Sequence, residues 1–119
     1  MNKSQVIEEA FKQDGVVITS YEFLRSDIEL FQKGGGWFYI FLDEAQKIKN
    51  NESQVHKAVM SLHSQHRVIL SGTPMQNNLS ELWSLFSFVQ PGLLGELDYF
   101  QNTFCKTIIK GGYTNASDI

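Results

Sequence analysis

The sequence predicts an α/β domain in which a parallel sheet is flanked by helices. Three short apolar runs, 16–19, 37–42 and 67–71, are rich in β-branched or aromatic residues and therefore indicate strands. Segments with apolar residues at helical spacing lie between and after these runs. Strands that alternate with helices form parallel sheets, because parallel neighbours need a long crossover connection.

The run from Trp37 to Leu42 is the central strand of this prediction. It contains no polar residue, which is typical of a strand buried on both faces, and it ends at Asp43 and Glu44. Open α/β sheets bind ligands at the carboxyl ends of their strands. One carboxylate there can hold Mg²⁺ while its neighbour orients or deprotonates a water molecule. The alternative is a strand end followed by a solvated acidic turn.

Four helices and a short C-terminal helix follow from apolar spacing and capping residues. Ser20 is a predicted cap of the second helix, Asn51 of the third, and Asn77 or Asn78 of the fourth. Residues 105–119 are predicted to form a polar tail. The apolar faces are Val6, Ile7, Ala10 and Phe11; Leu24, Ile28 and Phe31; Val55, Ala58, Val59 and Leu62; Leu79, Leu82, Trp83, Leu85, Phe86, Phe88 and Val89; and Tyr99, Phe100 and Phe104.

Composition excludes several classes of function. A net charge of −3 gives no general attraction to nucleic acid or to anionic membranes. One cysteine, Cys105, excludes an internal disulfide and a cysteine-rich zinc site. No apolar run is long enough to span a bilayer, and the polar start does not indicate a signal peptide. The histidines, His56, His63 and His66, lack a carboxylate or cysteine at metal-binding spacing and are predicted to lie on the surface.

The triple glycine Gly34–Gly36 does not have the arrangement of a phosphate-binding loop. Such a loop follows a strand and opens a helix with Gly-Lys-Ser/Thr, whereas these glycines precede a strand and Lys33 comes before them. The segment is predicted to be a flexible connector.

Polar segments follow both later strands of the predicted sheet. Asp43 and Glu44 end one strand, and the segment 71–74, Ser-Gly-Thr-Pro, ends the other. Right-handed crossovers bring the carboxyl ends of parallel strands to the same edge of a sheet. We therefore expect the two segments to lie side by side.

Three motifs resemble those of the Swi/Snf-type helicase-like ATPases of superfamily two. Residues 42–50, Leu-Asp-Glu-Ala-Gln-Lys-Ile-Lys-Asn, are similar to motif II, and the block 71–85 is similar to motif III and the helix after it. Residues 18–21, Ile-Thr-Ser-Tyr, resemble a DNA-contacting motif that precedes motif II. The resemblance covers the chain from about residue 16 onward, and the segment 111–117 resembles the Cockayne syndrome B branch, which acts in transcription-coupled repair.

The resemblance implies an ATP-driven translocase on double-stranded DNA, built from two RecA-like lobes, that acts in the nucleus with ATP and Mg²⁺. Asp43 would then hold Mg²⁺, and Glu44 would position the water that attacks the γ-phosphate. Gln46 stands where many members carry His. Both side chains can donate a hydrogen bond, but glutamine does not titrate.

Two further sets of residues receive roles from the same resemblance. Ser71, Gly72 and Thr73 would link the nucleotide state to lobe movement, although a strand-end turn is the alternative role for the two hydroxyls. Thr19 and Ser20 would bind a DNA phosphate, and helix capping is their alternative role. Nucleosomes or a stalled RNA polymerase are candidate partners of the parent protein. No contact with a membrane is expected.

Other features depart from the family pattern. The 119 residues contain no Gly-Lys-Thr motif I and nothing that resembles the second lobe with its arginine finger. We therefore expect residues 1–119 to be the later part of lobe one of a larger ATPase. Two alternatives stay open: a non-catalytic interaction module derived from such an ATPase, and an RNA helicase of the same superfamily, against which the block 76–83 argues.

Overall fold

The computed structural model describes residues 2–72 and 79–108, which form a two-stranded parallel sheet with helices packed against it. A 3-10 turn (Ala45–Ile48) follows the first strand, and a π-helical turn (Gln101–Cys105) continues the last helix. The helices are α1 (Lys3–Lys12), α2 (Tyr21–Ser26), α3 (Ile28–Gln32), α4 (Gln54–Met60), α5 (Leu79–Val89) and α6 (Leu97–Phe100), and the strands are β1 (Trp37–Leu42) and β2 (Ser64–Ile69).

The two strands pair in parallel, and the connection between them contains α4. Trp37 lies opposite Ser64 at the start of the sheet, and Leu42 lies opposite Ile69 at its carboxyl end. The predicted α/β class with a parallel sheet is confirmed. The second strand begins and ends earlier than the predicted run 67–71.

The helices α2 and α4 each begin at a serine whose side chain caps the first turn. The amide of Phe23 donates to Ser20 Oγ at 3.1 Å, which confirms the predicted cap of α2. The cap of α4 is Ser53, whose Oγ accepts from the His56 amide at 3.1 Å, so the prediction of Asn51 was wrong. The predicted caps Asn77 and Asn78 lie outside the described residues.

The predicted strand 16–19 is not present in the structure. Val16 is 89% exposed and Ile18 is 94% exposed, and the segment is extended without belonging to the sheet. A strand is stable only when its backbone groups pair with a neighbour, and local β propensity does not supply one. Only Val17 of this run packs against the core.

The predicted second helix is interrupted at Asp27. Ser26 Oγ lies within hydrogen-bond distance of two acceptors, the Phe23 carbonyl oxygen at 3.1 Å and Asp27 Oδ2 at 2.8 Å. Such local bonds from serine and aspartate compete with the helical ladder, so the chain forms α2 and α3 instead of one helix.

β1 is not buried on both faces, which corrects the sequence prediction. Phe38, Tyr39 and Phe41 are 61%, 47% and 63% exposed, and the Tyr39 ring contacts the rings of Phe38, Phe41 and His66. Within the described part of the chain, α5 packs against β2 and the 3-10 turn and leaves these rings uncovered.

The core forms where the helices pack against the sheet and the 3-10 turn. His56 belongs to this region: it is 5% exposed and its Nδ1 lies 2.9 Å from the Ile48 carbonyl oxygen, so its predicted surface position was wrong. A helical position facing the 3-10 turn buries the ring, and the carbonyl satisfies its nitrogen. The buried apolar residues are Ile7, Leu24, Phe31, Leu42, Ala45, Ile48, Val59, Leu62, Leu85 and Phe88.

Arg67 links β2 to the end of α5 through hydrogen bonds. Its Nη1 donates to the Phe88 carbonyl at 3.0 Å and its Nη2 to the Leu62 carbonyl at 2.6 Å. The guanidinium lies 4.9 Å from the centre of the Phe88 ring. Burial lowers the pKa of Arg67, and the carbonyls offset the cost of partial desolvation.

The last described residues continue as helix: the chain after α6 is helical through residue 108. The predicted polar tail 105–119 therefore begins in helical structure, and residues 109–119 lie outside the described part. No helix among residues 2–72 and 79–108 has the length and apolar character needed to cross a membrane.

Candidate functional site

The acidic pair leaves the sheet beside the end of β2. The Leu70 amide donates to the Leu42 carbonyl at 2.8 Å, and the Ala45 amide donates to the Leu70 carbonyl at 2.9 Å. These bonds extend the strand pairing around Asp43 and Glu44, whose side chains are exposed. Ala45 and Ile48 are fully buried and anchor the turn that follows.

Glu44 has a left-handed backbone conformation, with φ 50° and ψ 49°. This conformation is uncommon for residues other than glycine and costs of order 1–3 kcal/mol, so the surroundings must hold it. Asp43 Oδ1 accepts from the Glu44 amide at 2.9 Å, and the Glu44 carbonyl accepts from the Lys47 amide at 3.1 Å. The bend turns the chain from strand into 3-10 turn and brings both carboxylates to the sheet edge.

Gln46 connects the acidic pair to the end of β2. Its amide nitrogen donates to Glu44 Oε2, and its amide oxygen accepts from Ser71 Oγ at 3.1 Å. A side-chain amide suits this position because it donates at one end and accepts at the other. The predicted proximity of the two strand ends is observed at these residues.

The segment after Ser71 is only partly described. Gly72 is exposed, and a Cβ added there would meet nothing within 4 Å, so local packing does not require glycine. Thr73 lies outside the described residues.

Tyr21 is a site residue that the sequence prediction did not select. Its hydroxyl donates to the Asp43 carbonyl at 2.6 Å, across 22 positions of the chain. The Lys47 ammonium lies 5.9 Å from the centre of the tyrosine ring. Burial, followed by the charges of Asp43 and Glu44, raises the pKa of Tyr21 to about 12. The available signal was its place at the end of the motif 18–21.

The raised pKa of Tyr21 gives a pH prediction for the metal-free protein. The folded-state pKa lies above the ordinary value of 10.0, so the neutral phenol stabilises the fold. That contribution is fully present below pH 10 and is lost as pH rises through about 12. We expect a near-ultraviolet difference titration between the wild type and Tyr21→Phe to show a phenolate midpoint near 12. A midpoint near 10 would mean that the hydroxyl is solvated.

Thr19 and Ser20 lie immediately before Tyr21, and both side chains are exposed. Ser20 Oγ is already the acceptor in the cap of α2. A serine hydroxyl can accept one hydrogen bond and donate another, so capping leaves its proton able to donate to an anion.

The helix α5 packs against the turn that follows the acidic pair. α5 packs against the 3-10 turn, and Lys49 Nζ lies 3.5 Å from Glu81 Oε1. This ion pair is partly exposed and contributes little to stability. It places the α5 helix of the motif III block directly beside the motif II segment.

The residues fit a magnesium ion only as part of a larger ligand set. No group of three His, Cys, Asp or Glu that suits a metal occurs within residues 2–72 and 79–108. Mg²⁺ is commonly held by one or two carboxylates together with water and substrate phosphates. Exposed carboxylate oxygens on Asp43 and Glu44 fit that arrangement, with the remaining ligands supplied by nucleotide and water.

Comparison with known proteins places the chain in a family. The model of the family described as "SNF2-related domain" matches residues 1–119, and the chain belongs to this family. Human "DNA excision repair protein ERCC-6" is 44% identical over 120 residues, which cover 98% of this chain and 8% of that protein. Saccharomyces cerevisiae RAD26, a "DNA repair and recombination protein", is 44% identical over 115 residues, covering 97% of this chain and 10% of that protein.

These matches confirm the predicted resemblance to the Cockayne syndrome B branch. The "TATA-binding protein-associated factor mot1" of Schizosaccharomyces pombe is 49% identical over a shorter stretch of 102 residues, covering 86% of this chain and 5% of that protein. The chain therefore spans a tenth or less of the length of these relatives.

A solved structure gives the same result for the fold. The Sulfolobus solfataricus SWI2/SNF2 ATPase core in complex with dsDNA matches with a TM-score of 0.67 and 43% identity, covering 76% of this chain and 19% of that one. The Sulfolobus solfataricus SWI2/SNF2 ATPase core domain matches with a TM-score of 0.53 and 40% identity, covering 70% of this chain and 18% of that one. The predicted partial RecA-like lobe is confirmed.

Proposed function

We propose that residues 1–119 are the later part of lobe one of an ATP-dependent double-stranded-DNA translocase of the remodelling and repair type. The observation that carries the proposal is the acidic pair at the carboxyl end of β1, joined through Gln46 to the end of β2. The structure of the Sulfolobus solfataricus SWI2/SNF2 ATPase core in complex with dsDNA, which is 43% identical to this chain, supports the proposal. In the parent protein, motif I and the second lobe would lie outside these residues.

In this proposal Asp43 holds Mg²⁺, and Glu44 positions the attacking water and accepts its proton. The ion, when bound with ATP, neutralises phosphate charge. Gln46 holds Oε2 of Glu44, so Oε1 is the atom that accepts a proton from water. The left-handed backbone of Glu44 sets the direction in which its side chain leaves the chain, and the Gln46 bond holds the carboxylate before substrate arrives.

Ser71, Gly72 and Thr73 form the coupling segment of the proposal. Ser71 already contacts Gln46 and through it Glu44, so a change at the acidic pair reaches the end of β2 by two hydrogen bonds. The segment then leads toward α5, which packs on the 3-10 turn.

The proposed DNA contact predicts the effect of replacing both hydroxyls. The double variant Thr19→Ala and Ser20→Ala in the parent protein is expected to weaken DNA binding about equally for all sequences, by roughly tenfold, because hydrogen bonds to phosphate carry no sequence information. Binding to several duplexes of different sequence, measured at one salt concentration, checks this. A loss confined to one sequence would count against a backbone contact.

A second variant separates phosphate contact from helix capping. Ser20→Asp keeps a good cap for α2 but places a negative charge beside the phosphate. We expect weaker DNA binding with unchanged thermal stability. A variant that binds DNA like the wild type would show that Ser20 serves α2 alone.

The type of nucleic acid that stimulates ATP hydrolysis distinguishes the proposed DNA translocase from an RNA helicase. We expect the ATPase activity of the parent protein to be stimulated by duplex DNA and not by RNA. Stimulation by RNA alone would favour the helicase. A parent protein without motif I and without ATPase activity would favour a non-catalytic interaction module.

Cell location and larger partners are also part of the proposal. The repair and transcription factors among the relatives support a nuclear protein. Nucleosomes and a stalled RNA polymerase are the candidate partners of the parent protein, reached through the translocase activity on DNA.

A further inference from the structure

Tyr21 joins two segments that carry different proposed tasks. It directly follows the candidate DNA-binding residues Thr19 and Ser20, and its hydroxyl donates to the Asp43 carbonyl at 2.6 Å. From Asp43 the hydrogen bonds continue to Glu44 through its amide at 2.9 Å, and from Glu44 to Gln46 through the side chains. A continuous series of hydrogen bonds thus connects the start of α2 to the acidic turn.

The effect of the hydrogen bond from Tyr21 depends on the atom that accepts it. The Asp43 carbonyl belongs to the peptide plane that precedes Glu44, so fixing this oxygen fixes the plane from which the Glu44 side chain extends. A left-handed residue other than glycine persists only where its surroundings enforce it. The Tyr21 hydroxyl is one of these restraints, together with the Glu44 amide bond to Asp43 and the burial of Ala45.

The other end of the connection lies in α2. Ser20 caps this helix and Tyr21 is its first residue, so a displacement of Ser20 also displaces the tyrosine. A hydrogen bond weakens steeply when its length or angle changes, and this one is already short at 2.6 Å. A small movement of the α2 start therefore changes the restraint on Glu44.

We propose that Tyr21 is a positioning residue that couples DNA binding at Thr19 and Ser20 to the orientation of the Glu44 carboxylate. The inference rests on the proposed function, because it assigns a route between the DNA contact and the hydrolytic residue. It adds a residue that touches neither DNA nor nucleotide and acts through the backbone of Asp43.

Tyr21→Phe in the complete ATPase tests this route. The change removes the hydroxyl and keeps the ring beside Lys47. We expect DNA-stimulated kcat to fall by about five- to tenfold and DNA-free kcat to fall less, so that the stimulation ratio decreases. The KM for ATP and the Kd for DNA should stay within about twofold of the wild type, because no binding contact is removed.

Tyr99→Phe is the matched control, since Tyr99 is 61% exposed on α6 and is remote in sequence from both segments. It should leave the stimulation ratio unchanged. If thermal unfolding shows that Tyr21→Phe is less stable, both rates are measured well below its midpoint, and their ratio decides.

The possible outcomes separate the coupling from the proposed function. A reduced stimulation ratio with unchanged KM and Kd supports the coupling. An unchanged ratio, or an equal fall of both rates, overturns it while the translocase assignment stands. A wild-type protein whose ATPase activity ignores DNA overturns the proposed function and the coupling with it.

Discussion

Glu44→Gln in the complete ATPase is expected to lower ATP turnover by roughly two orders of magnitude or more while ATP still binds. Glutamine keeps the shape of the side chain and an oxygen for the Gln46 amide, but it cannot take a proton from water. The loss should therefore appear in kcat, with nucleotide affinity little changed. Steady-state kinetics with a nucleotide-binding titration on the same preparation measures both quantities.

Glu52→Gln is the control for this experiment. Glu52 is exposed in the loop before α4 and makes its described hydrogen bond through its backbone amide, to Asn50 Oδ1. Glu52→Gln removes one negative charge, as Glu44→Gln does, and should leave ATP turnover unchanged. Wild-type hydrolysis by Glu44→Gln would remove Glu44 from the role proposed for it.

The isolated 119-residue chain is expected to show no measurable ATPase activity. Phosphate binding in ATPases of this type relies on the loop amides and lysine of motif I, which these residues do not contain. Asp43 and Glu44 supply carboxylate oxygens for a metal but no donors for the phosphates. A sensitive phosphate-release assay on the purified chain checks the prediction.

The same isolated chain is expected to associate with itself or to be poorly soluble. β2 pairs with β1 on one side only within the described residues, so its other edge presents backbone groups beside Val68, Ile69 and the half-exposed Leu70. Open, apolar strand edges pair with other chains. The exposed rings of Phe38 and Phe41 add apolar surface on the same sheet.

Charged substitutions distinguish the edge from the rings. Val68→Lys places a charge on the open strand, and Phe38→Lys places one among the rings at a residue that is not opposite Val68 in the register. If the edge drives association, Val68→Lys should raise the monomer fraction in sizing and light scattering more than Phe38→Lys does. A wild-type chain that stays monomeric and melts cooperatively would contradict the edge argument. ATP turnover that Glu44→Gln abolishes would contradict the need for motif I.

Local chemistry explains which features could be predicted from the sequence. The apolar run 37–42 followed by two carboxylates needs only short-range information, and it placed β1 and Asp43 correctly. The cap at Ser20 depends on residues three positions apart. The motif resemblance identified the family because whole blocks of side chains are retained.

Tertiary structure decided the features that depend on distant residues. Val16–Thr19 has the composition of a strand, yet no strand pairs with it in the described structure, and pairing is a non-local property. His56 is buried because α4 faces the 3-10 turn.

The contacts of the candidate site divide in the same way. The sequence by itself determined the carboxylate pair and its place at a strand end, because apolar patterning and residue chemistry are local. Only the tertiary structure brought the Tyr21 hydroxyl to the Asp43 carbonyl, 22 positions away, and set Glu44 in the left-handed conformation. The bond from Tyr21 joins remote segments and adds to the local bonds that hold Glu44, and no spacing rule encodes it.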